Sequence, residues 1–352
     1  MKITTISGRE LCSGLSERWL TLHQADPALE SAYFHPDFTR CAAAMKPNVE
    51  VAIIEEAGEA VGFFPFERRT PTLGEPVGSF MSDYHGIVAA AGVEVDASEL
   101  LRACRLTAFD FSHLPLARLP RGARAEEIVA SPILDLSDGY AAYVTKKRAL
   151  GSEVISQTNR RERRLIREVG PARFVAQDDD PAALDAVLAW KSAQYLKSGH
   201  EDIFRMPWTR GLLEAIHATR SEGFAGILST LYVGDRLIAG HFGMRSRSSW
   251  HYWFPAYDPE FSKYSPGLIL ILKMAESASG MGLRMIDLGT GALLYKDRLA
   301  TGAVDLAGGS MELSPWRTLR RRAKRNLVGL ARSTGLEAPA RAALRAWRGR
   351  KA

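Results

Sequence analysis

The sequence predicts an α+β protein built from two copies of one unit. Three observations carry this expectation. In the C-terminal half three β-rich segments lead into an apolar helix and then a short strand; the N-terminal half repeats that rhythm; and 352 residues give room for two domains.

In the N-terminal copy, Val49 to Glu55 and Ala60 to Arg68 flank an Ala-Gly-Glu turn, and Phe80 to Ala89 reads as a further strand. A helix is expected from Ala97 to Arg105, followed by a strand from Leu106 to Phe111, so that Asp110 falls where Asp287 falls in the second copy. Between the copies lies Thr145 to Val169, whose core Asn159-Arg160-Arg161-Glu162-Arg163-Arg164 reads as a charged helix.

The second copy opens with a strand from Ala172 to Gln177. Asp180-Pro181 starts a helix with Leu184, Leu188 and Tyr195 on one face, Gly199 closes it, and a second helix runs from about Pro207 to Gly223. Ile227 to Val233 and Arg236 to Met244 are joined by Gly234-Asp235, a two-residue turn, and aromatic Ser249 to Tyr257 completes a three-strand meander. Ser265-Pro266-Gly267 then opens a helix carrying Leu268, Ile271, Leu272 and Ala275, which stops at Gly280-Met281-Gly282. A strand from Arg284 to Leu288, a helix holding Tyr295 and a final strand follow. The expected divisions are 1–145, a connecting helix at 146–170, 171–315, and a tail at 316–352.

The net charge of +6 is uneven, because residues from 316 onward hold 12 Lys and Arg against the single acid Glu337, which leaves −5 for residues 1–315. In that tail Trp316, Leu319, Ala323, Leu327 and Leu330 lie at helical spacing beneath a run of Arg and Lys. It reads either as a basic amphipathic helix apt for anionic lipid headgroups or as a packed helix with a solvated face; no nucleic-acid fold signature accompanies it. Cys12, Cys41 and Cys104 are dispersed and odd in number, which fits a reducing compartment rather than a disulfide or zinc scaffold. With no apolar leader and no window near the roughly 20 apolar residues of a membrane span, the expected address is cytoplasmic.

The residues that carry chemistry concentrate between Asp258 and Lys296. Ser265 is a natural N-cap, Pro266 suits the first helical position and Gly267 leaves amides approachable, so an anionic cofactor can sit against the helix dipole with Lys263 beside it. The alternative is a well-capped helix and nothing more. His241 lies among small residues in Ala239-Gly240-His241-Phe242-Gly243, where it is either a proton acceptor or a structural strand histidine. Asp287 ends a strand as a candidate base or acceptor-binding carboxylate, or else caps the turn at Gly289. Asp287-Leu288-Gly289-Thr290-Gly291 also looks like a methyltransferase or dinucleotide motif, but only 61 residues follow Gly291, too few for the remaining βαβ units.

This order of parts, with Ser265-Pro266-Gly267-Leu268, Gly282-Leu283-Arg284, Asp287-Leu288-Gly289, Tyr295-Lys296 and, upstream, Phe34-His35-Pro36-Asp37-Phe38 and Asp83-Tyr84, resembles the GNAT acyltransferase superfamily. Within it the words are similar to the double-GNAT acetyltransferases of bacterial cellulose and exopolysaccharide biosynthesis (CelD/BcsL-like), relatives of the Fem aminoacyltransferases. The resemblance covers roughly residues 30 to 312. It implies two tandem domains, each a mixed, mostly antiparallel twisted sheet flanked by helices, with a basic C-terminal helix. It also implies a metal-free transfer from acetyl-CoA or another acyl-CoA to a sugar or polysaccharide acceptor. The sequence departs from the usual Q/R-x-x-G-x-G/A phosphate loop, which is represented only by Lys263-Tyr264-Ser265-Pro266-Gly267-Leu268.

The resemblance assigns those six residues to the cofactor and places Tyr295 where related enzymes protonate the departing thiolate, with Lys296 neutralising a phosphate or orienting the acceptor. In the N-terminal copy the corresponding helix starts near Asp96, which would repel a pyrophosphate, so that copy is expected to bind no cofactor. Asp83, Tyr84 and His85 are then candidates for the acceptor cleft, with a packed interface as the alternative. Two other functions stay open: Fem-like aminoacyl transfer from aminoacyl-tRNA, and a catalytically silent scaffold docked to a membrane by its tail.

Overall fold

Hydrophobic strands and the turns between them set the frame of the molecule. In the computed structural model, described over residues 1–291 and 293–314, the first half runs β1 (Lys2–Ser7), α1 (Ser13–Gln24), α2 (Pro36–Met45), β2 (Val49–Glu56), β3 (Glu59–Thr70), β4 (Leu73–Glu75), β5 (Val88–Ala89), α3 (Ala97–Ala103), β6 (Ala108–Pro115) and β7 (Arg124–Asp135). Two connecting helices follow, α4 (Gly139–Ala149) and α5 (Val154–Glu168). The second half runs β8 (Ala172–Val175), α6 (Pro181–Lys197), α7 (Pro207–Ala218), β9 (Arg220–Ser221), β10 (Phe224–Val233), β11 (Arg236–Arg245), β12 (Ser249–Tyr257), α8 (Pro266–Ala278), β13 (Met285–Asp287), α9 (Leu294–Leu299) and β14 (Gly302–Glu312). The basic tail from Trp316 lies outside the described residues.

All these strands join one sheet, ordered β1-β2-β3-β4-β6-β14-β7-β13-β12-β11-β10-β8, with β5 on β3 and β9 on β10. Pairing is antiparallel except at two junctions, β4 with β6 and β12 with β13, which hold corresponding places in the two halves. The two mixed units expected from the repeated rhythm are therefore present. What the rhythm did not show is that they exchange their last strands. β7, from the first half, closes on β13 (Leu134↔Ile286), while β14, from the second, closes on β6 (Phe109↔Met311), and β7 and β14 pair with each other (Val129↔Leu306).

Two expected elements differ. Phe80 to Ala89 is not a strand: a 3-10 turn at Ser79–Met81 gives way to a loop that returns to the sheet only at β5. Gly86 at φ +151° and the Ser82 hydroxyl donating to the Tyr84 carbonyl (2.8 Å) bend it out of line. The second helix of the C-terminal copy stops at Ala218, because Arg220–Ser221 turns back to pair with β10.

Helices cover both faces. α1, α2, α6 and α7 bury Trp19, Phe38, Val187 and Leu212 with Phe242 of β11 in one core that spans the two halves. α6 can approach β11 this closely because position 240 is glycine; a Cβ there would stand 2.2 Å from Val187 Cγ2. On the opposite face α8 packs Ile269 and Leu272 with Trp250, Tyr252 and Tyr143, and α3 seals a third core around Phe64, Phe66 and Phe109. The Asp180 side chain caps α6 by accepting from the Ala182 amide (2.9 Å), as its Asp-Pro start suggested.

Candidate active site

β12 and β13 run side by side through three pairs, Ser249↔Met285, Trp250↔Ile286 and His251↔Asp287. β13 then ends, while β12 continues to Tyr257, so the two strands part beyond His251. α8 begins shortly after β12, and the parting opens a cleft beside its N-terminus.

The local geometry of that helix start differs from the sequence expectation. Ser265 is not a side-chain cap: it sits at φ +52°, ψ +56°, between a 3-10 turn (Pro259–Tyr264) and α8, and its side chain makes no cap bond. Its hydroxyl instead accepts from Arg161 Nη1 of α5 (2.8 Å), and its carbonyl takes the Leu268 and Ile269 amides. With the Ser265 amide given to the Ser262 carbonyl and Pro266 lacking an N–H, Gly267 is the residue of that turn whose amide is left for an anion. Tyr264 and Pro266 are buried as scaffold; the Tyr264 hydroxyl donates to Glu168 (2.9 Å). Lys263 lies 3.8 Å from Glu168 and 4.8 Å over the Tyr264 ring, and Leu268 is half-buried. Arg161, which the sequence reading placed only in a charged helix, joins Lys263 at this end of α8.

On the other side of the parted strands lies a polar chamber between the halves. Asp287, 3% exposed, accepts from Ser131 Oγ of β7 (2.6 Å), from the Tyr84 hydroxyl, and from the Gly289 amide (2.7 Å). With three donors on its carboxylate it is an anchor that ties both halves together. Tyr84 is buried beside it, and burial pushes its phenol well above the ordinary range, so it stays a donor.

The carboxylate that keeps solvent contact is Asp83, whose Oδ2 lies 2.8 Å from His251 Nε2. Burial alone would raise the Asp83 carboxyl, but the hydrogen bond and charge of His251, with His113 and Lys296 behind them, hold it below the usual range. It is therefore ionised, and Nε2 is the protonated nitrogen of His251; Nδ1 lies 3.8 Å from Asp287.

Lys296 is almost fully buried and donates to the carbonyls of Gly289 (3.0 Å) and Thr290 (2.7 Å), which clamps the turn after β13. Burial lowers its pKa against the opposing pull of Asp83 and Asp287. Gly289, at φ +70°, presents its missing side chain to the chamber: a Cβ there would lie 3.5 Å from Asp83 Oδ2, 3.6 Å from His251 Cε1 and 3.9 Å from Lys296 Nζ. These are ordinary contact distances, so this is a position where a ligand atom meets all three groups.

Two residues expected at the chemistry lie elsewhere. His241 is completely buried in β11, stacked 4.5 Å from Tyr252, with Nε2 accepting the Trp253 amide (3.1 Å). Burial and the nearby His251 push it down to about 3, so it is a neutral core group without access to a substrate proton. His85 is likewise buried; Nε2 accepts the Ser112 and His113 amides (3.0 and 3.1 Å), and burial and His113 lower it to about 3. It pins the Asp83 loop to β6 and does not line the chamber as a ligand group.

Tyr295 of α9 is half-buried against the α8 core, close enough to Tyr252 for its charge to act on that phenol. Burial raises Tyr295 to about 12, which makes it a hydrogen-bond donor at the parted strands and too weak an acid to surrender its proton to a thiolate. His251 and Ser131 were missed by sequence reading; their partners lie 168 and 156 residues away, and nothing local marks them. Among the described residues no three or more His, Cys, Asp or Glu side chains are grouped to hold a metal ion, and no helix is long and apolar enough to cross a membrane.

Residues 155–297, the stretch from α5 to α9 that holds the parted strands, match the model of a family described as an acetyltransferase (GNAT) domain. The second half is thus a GNAT-type acyltransferase domain, and with the corresponding unit before it the architecture is tandem GNAT-like. Among solved structures, the C-terminal domain (DUF2156) of a putative lysylphosphatidylglycerol synthetase from Agrobacterium fabrum is similar at 11% identity and a TM-score of 0.56, covering 89% of this chain and 96% of that one. FemX is similar at 11% identity and a TM-score of 0.56, covering 91% and 99%. At these identities the likeness is one of fold. No curated protein matches the chain.

Proposed function

We propose that this protein transfers an acyl group from acyl-CoA to a hydroxyl or amine of a sugar or polysaccharide precursor in cell-surface polysaccharide biosynthesis. The observation that carries the transferase reading is the parting of β12 from β13, with an anion-accepting helix start on one side and the Asp83–His251 chamber on the other. The GNAT domain match favours an acyl-CoA donor, and the helix start fits one: the Gly267 amide, Arg161 and Lys263 supply an N–H and two cations for a pyrophosphate. The polysaccharide acceptor and acetyl as the acyl group rest on the resemblance to the CelD/BcsL-like enzymes, as does a cytoplasmic address.

In this reading the acceptor lies over Gly289, its nucleophilic oxygen or nitrogen attacks the thioester carbonyl carbon, and its proton passes to the Asp83 carboxylate. The C–S bond then breaks, and the thiolate is met by a hydrogen bond from the Tyr295 phenol before solvent protonates it. His251 holds Asp83 in place, and Asp287 holds the turn that carries Gly289.

Titration calorimetry with acetyl-CoA tests the donor. Binding is expected, weakened about tenfold in Arg161→Ala and in Lys263→Ala, since each removes one charge-assisted contact worth about 1.5 kcal/mol. No heat from acetyl-CoA or longer acyl thioesters in the wild type would refute the donor assignment.

One observation favours a second reading. α5 exposes Arg160, Arg161, Arg163, Arg164 and Arg167 beside the donor cleft, a cationic row that also suits an aminoacyl-tRNA donor. It predicts tRNA binding that weakens steeply with salt and indifference to coenzyme A. In the scaffold reading, liposome binding depends on residues 316–352 and no turnover accompanies it.

A further inference from the structure

A lysine at the border of the chamber has no counter-ion. Lys191 projects from α6, half-buried, with Nζ donating to Gln194 Oε1 of its own helix (3.1 Å) and lying 5.3 Å over the Tyr195 ring. Among the described residues no carboxylate lies within ion-pair distance of it. The nearby acid Asp202 is spent, accepting from the Ser192 hydroxyl (2.6 Å) and the Phe204 amide (3.1 Å).

The groups around Lys191 belong to the site already described. Burial and the charge of Lys296 lower its pKa to about 8, and Asp83 acts on the adjoining Tyr195 phenol, which burial raises to about 12. α6 therefore borders the chamber that holds Asp83, His251 and Lys296. Lys296 is compensated there by two carbonyls and by the charges of Asp83 and Asp287, whereas Lys191 has only a neutral amide and a ring. A half-buried ammonium held without an anion is costly, and a bound anion is what relieves that cost.

We propose that the acceptor carries an anionic oxygen group, a carboxylate or a phosphate, which Lys191 binds while the acceptor's nucleophile lies at Asp83. The acceptor is then an acidic or phosphorylated sugar rather than a neutral one, with its negative group set apart from the atom that is acylated. This deepens the transferase reading and rests on it.

The test measures binding of D-glucuronate, D-glucose 6-phosphate and D-glucose to the full-length protein by calorimetry, without a donor. At least one anion is expected to bind tenfold or more tightly than glucose, consistent with one charge-assisted contact. Which anion is preferred tells carboxylate from phosphate. Lys191→Gln is expected to abolish the preference while leaving glucose binding and the melting temperature unchanged, and Lys191→Arg to keep it. Equal binding of all three sugars, failure of both anions to bind, or an equal loss for all three in Lys191→Gln would overturn the proposal. Acetyl-CoA titrated in parallel separates the two ideas: donor binding without an anion preference sinks this inference alone, and an anion preference without donor binding sinks the acyl-CoA reading alone.

Discussion

Replacing Gly289 by alanine separates the cost to the fold from the cost to chemistry. The backbone there is at φ +70°, so a Cβ costs about 1–2 kcal/mol of left-handed strain. The new methyl would meet Asp83, His251 and Lys296 at 3.5 to 3.9 Å, ordinary contact with no clash to add. The Gly289 amide still reaches Asp287, and its carbonyl still reaches Lys296. The chain should therefore fold, with a melting temperature lower by a few degrees, at about 2–4 °C per kcal/mol for a domain of this order. The methyl also fills the position where a reacting atom would touch all three groups and pushes the acceptor outward by about 1 Å or more, a misplacement worth roughly 100-fold in rate. The assay is release of free coenzyme A from acetyl-CoA, with the acceptor that the wild-type protein turns over fastest. Acetyl-CoA affinity should be unchanged, because the donor cations lie on α5 and before α8. A variant that melts within those few degrees and keeps kcat/KM within twofold refutes placement of the acceptor over Gly289.

Asp287→Asn should lower unfolding stability in urea by about 1–3 kcal/mol, because a carboxylate that takes three donors becomes an amide with one acceptor oxygen; an unchanged midpoint would show that these bonds do not hold the halves together. His85 and His241, both held near 3 when folded, are protonated in the unfolded chain below its value of 6.5. Full stability is therefore expected above pH 6.5, with a loss of up to about 1.4 kcal/mol per histidine for each further pH unit down to about 3. Circular dichroism against pH should show His241→Phe unfolding at lower pH than the wild type; coincident curves would contradict the burial of that ring.

Much of the second unit was legible in the sequence because its signals are local. The Gly234-Asp235 turn, the aromatic strand from Ser249, the Pro266 helix start and Asp287 at a strand end each depend on a few neighbouring residues. The helix start was only half legible: Ser-Pro-Gly predicts a helix there, but the left-handed backbone at Ser265 is imposed by the preceding 3-10 turn, and the hydroxyl is claimed by Arg161 from another helix. His241 was chosen as a base for its small neighbours, yet small residues there let α6 pack tightly, which is why that ring is buried. His251 sits in an aromatic strand and reads as core until the fold brings Asp83 to it. Ser131 was hidden for a related reason, since β7 gained its place only through exchange with the second half.

That exchange bears on how such a chain can be dissected. Cutting it within α4 or α5 would send β7 away with the first fragment and β14 with the second, so each piece would keep a strand whose neighbours had left and lose the one that closed its own sheet. Both fragments would expose raw backbone edges that invite association with other chains. The Ser131 hydroxyl on Asp287 would vanish with the same cut, so the duplicated architecture behaves as one indivisible folding partner rather than as two modules joined by a tether.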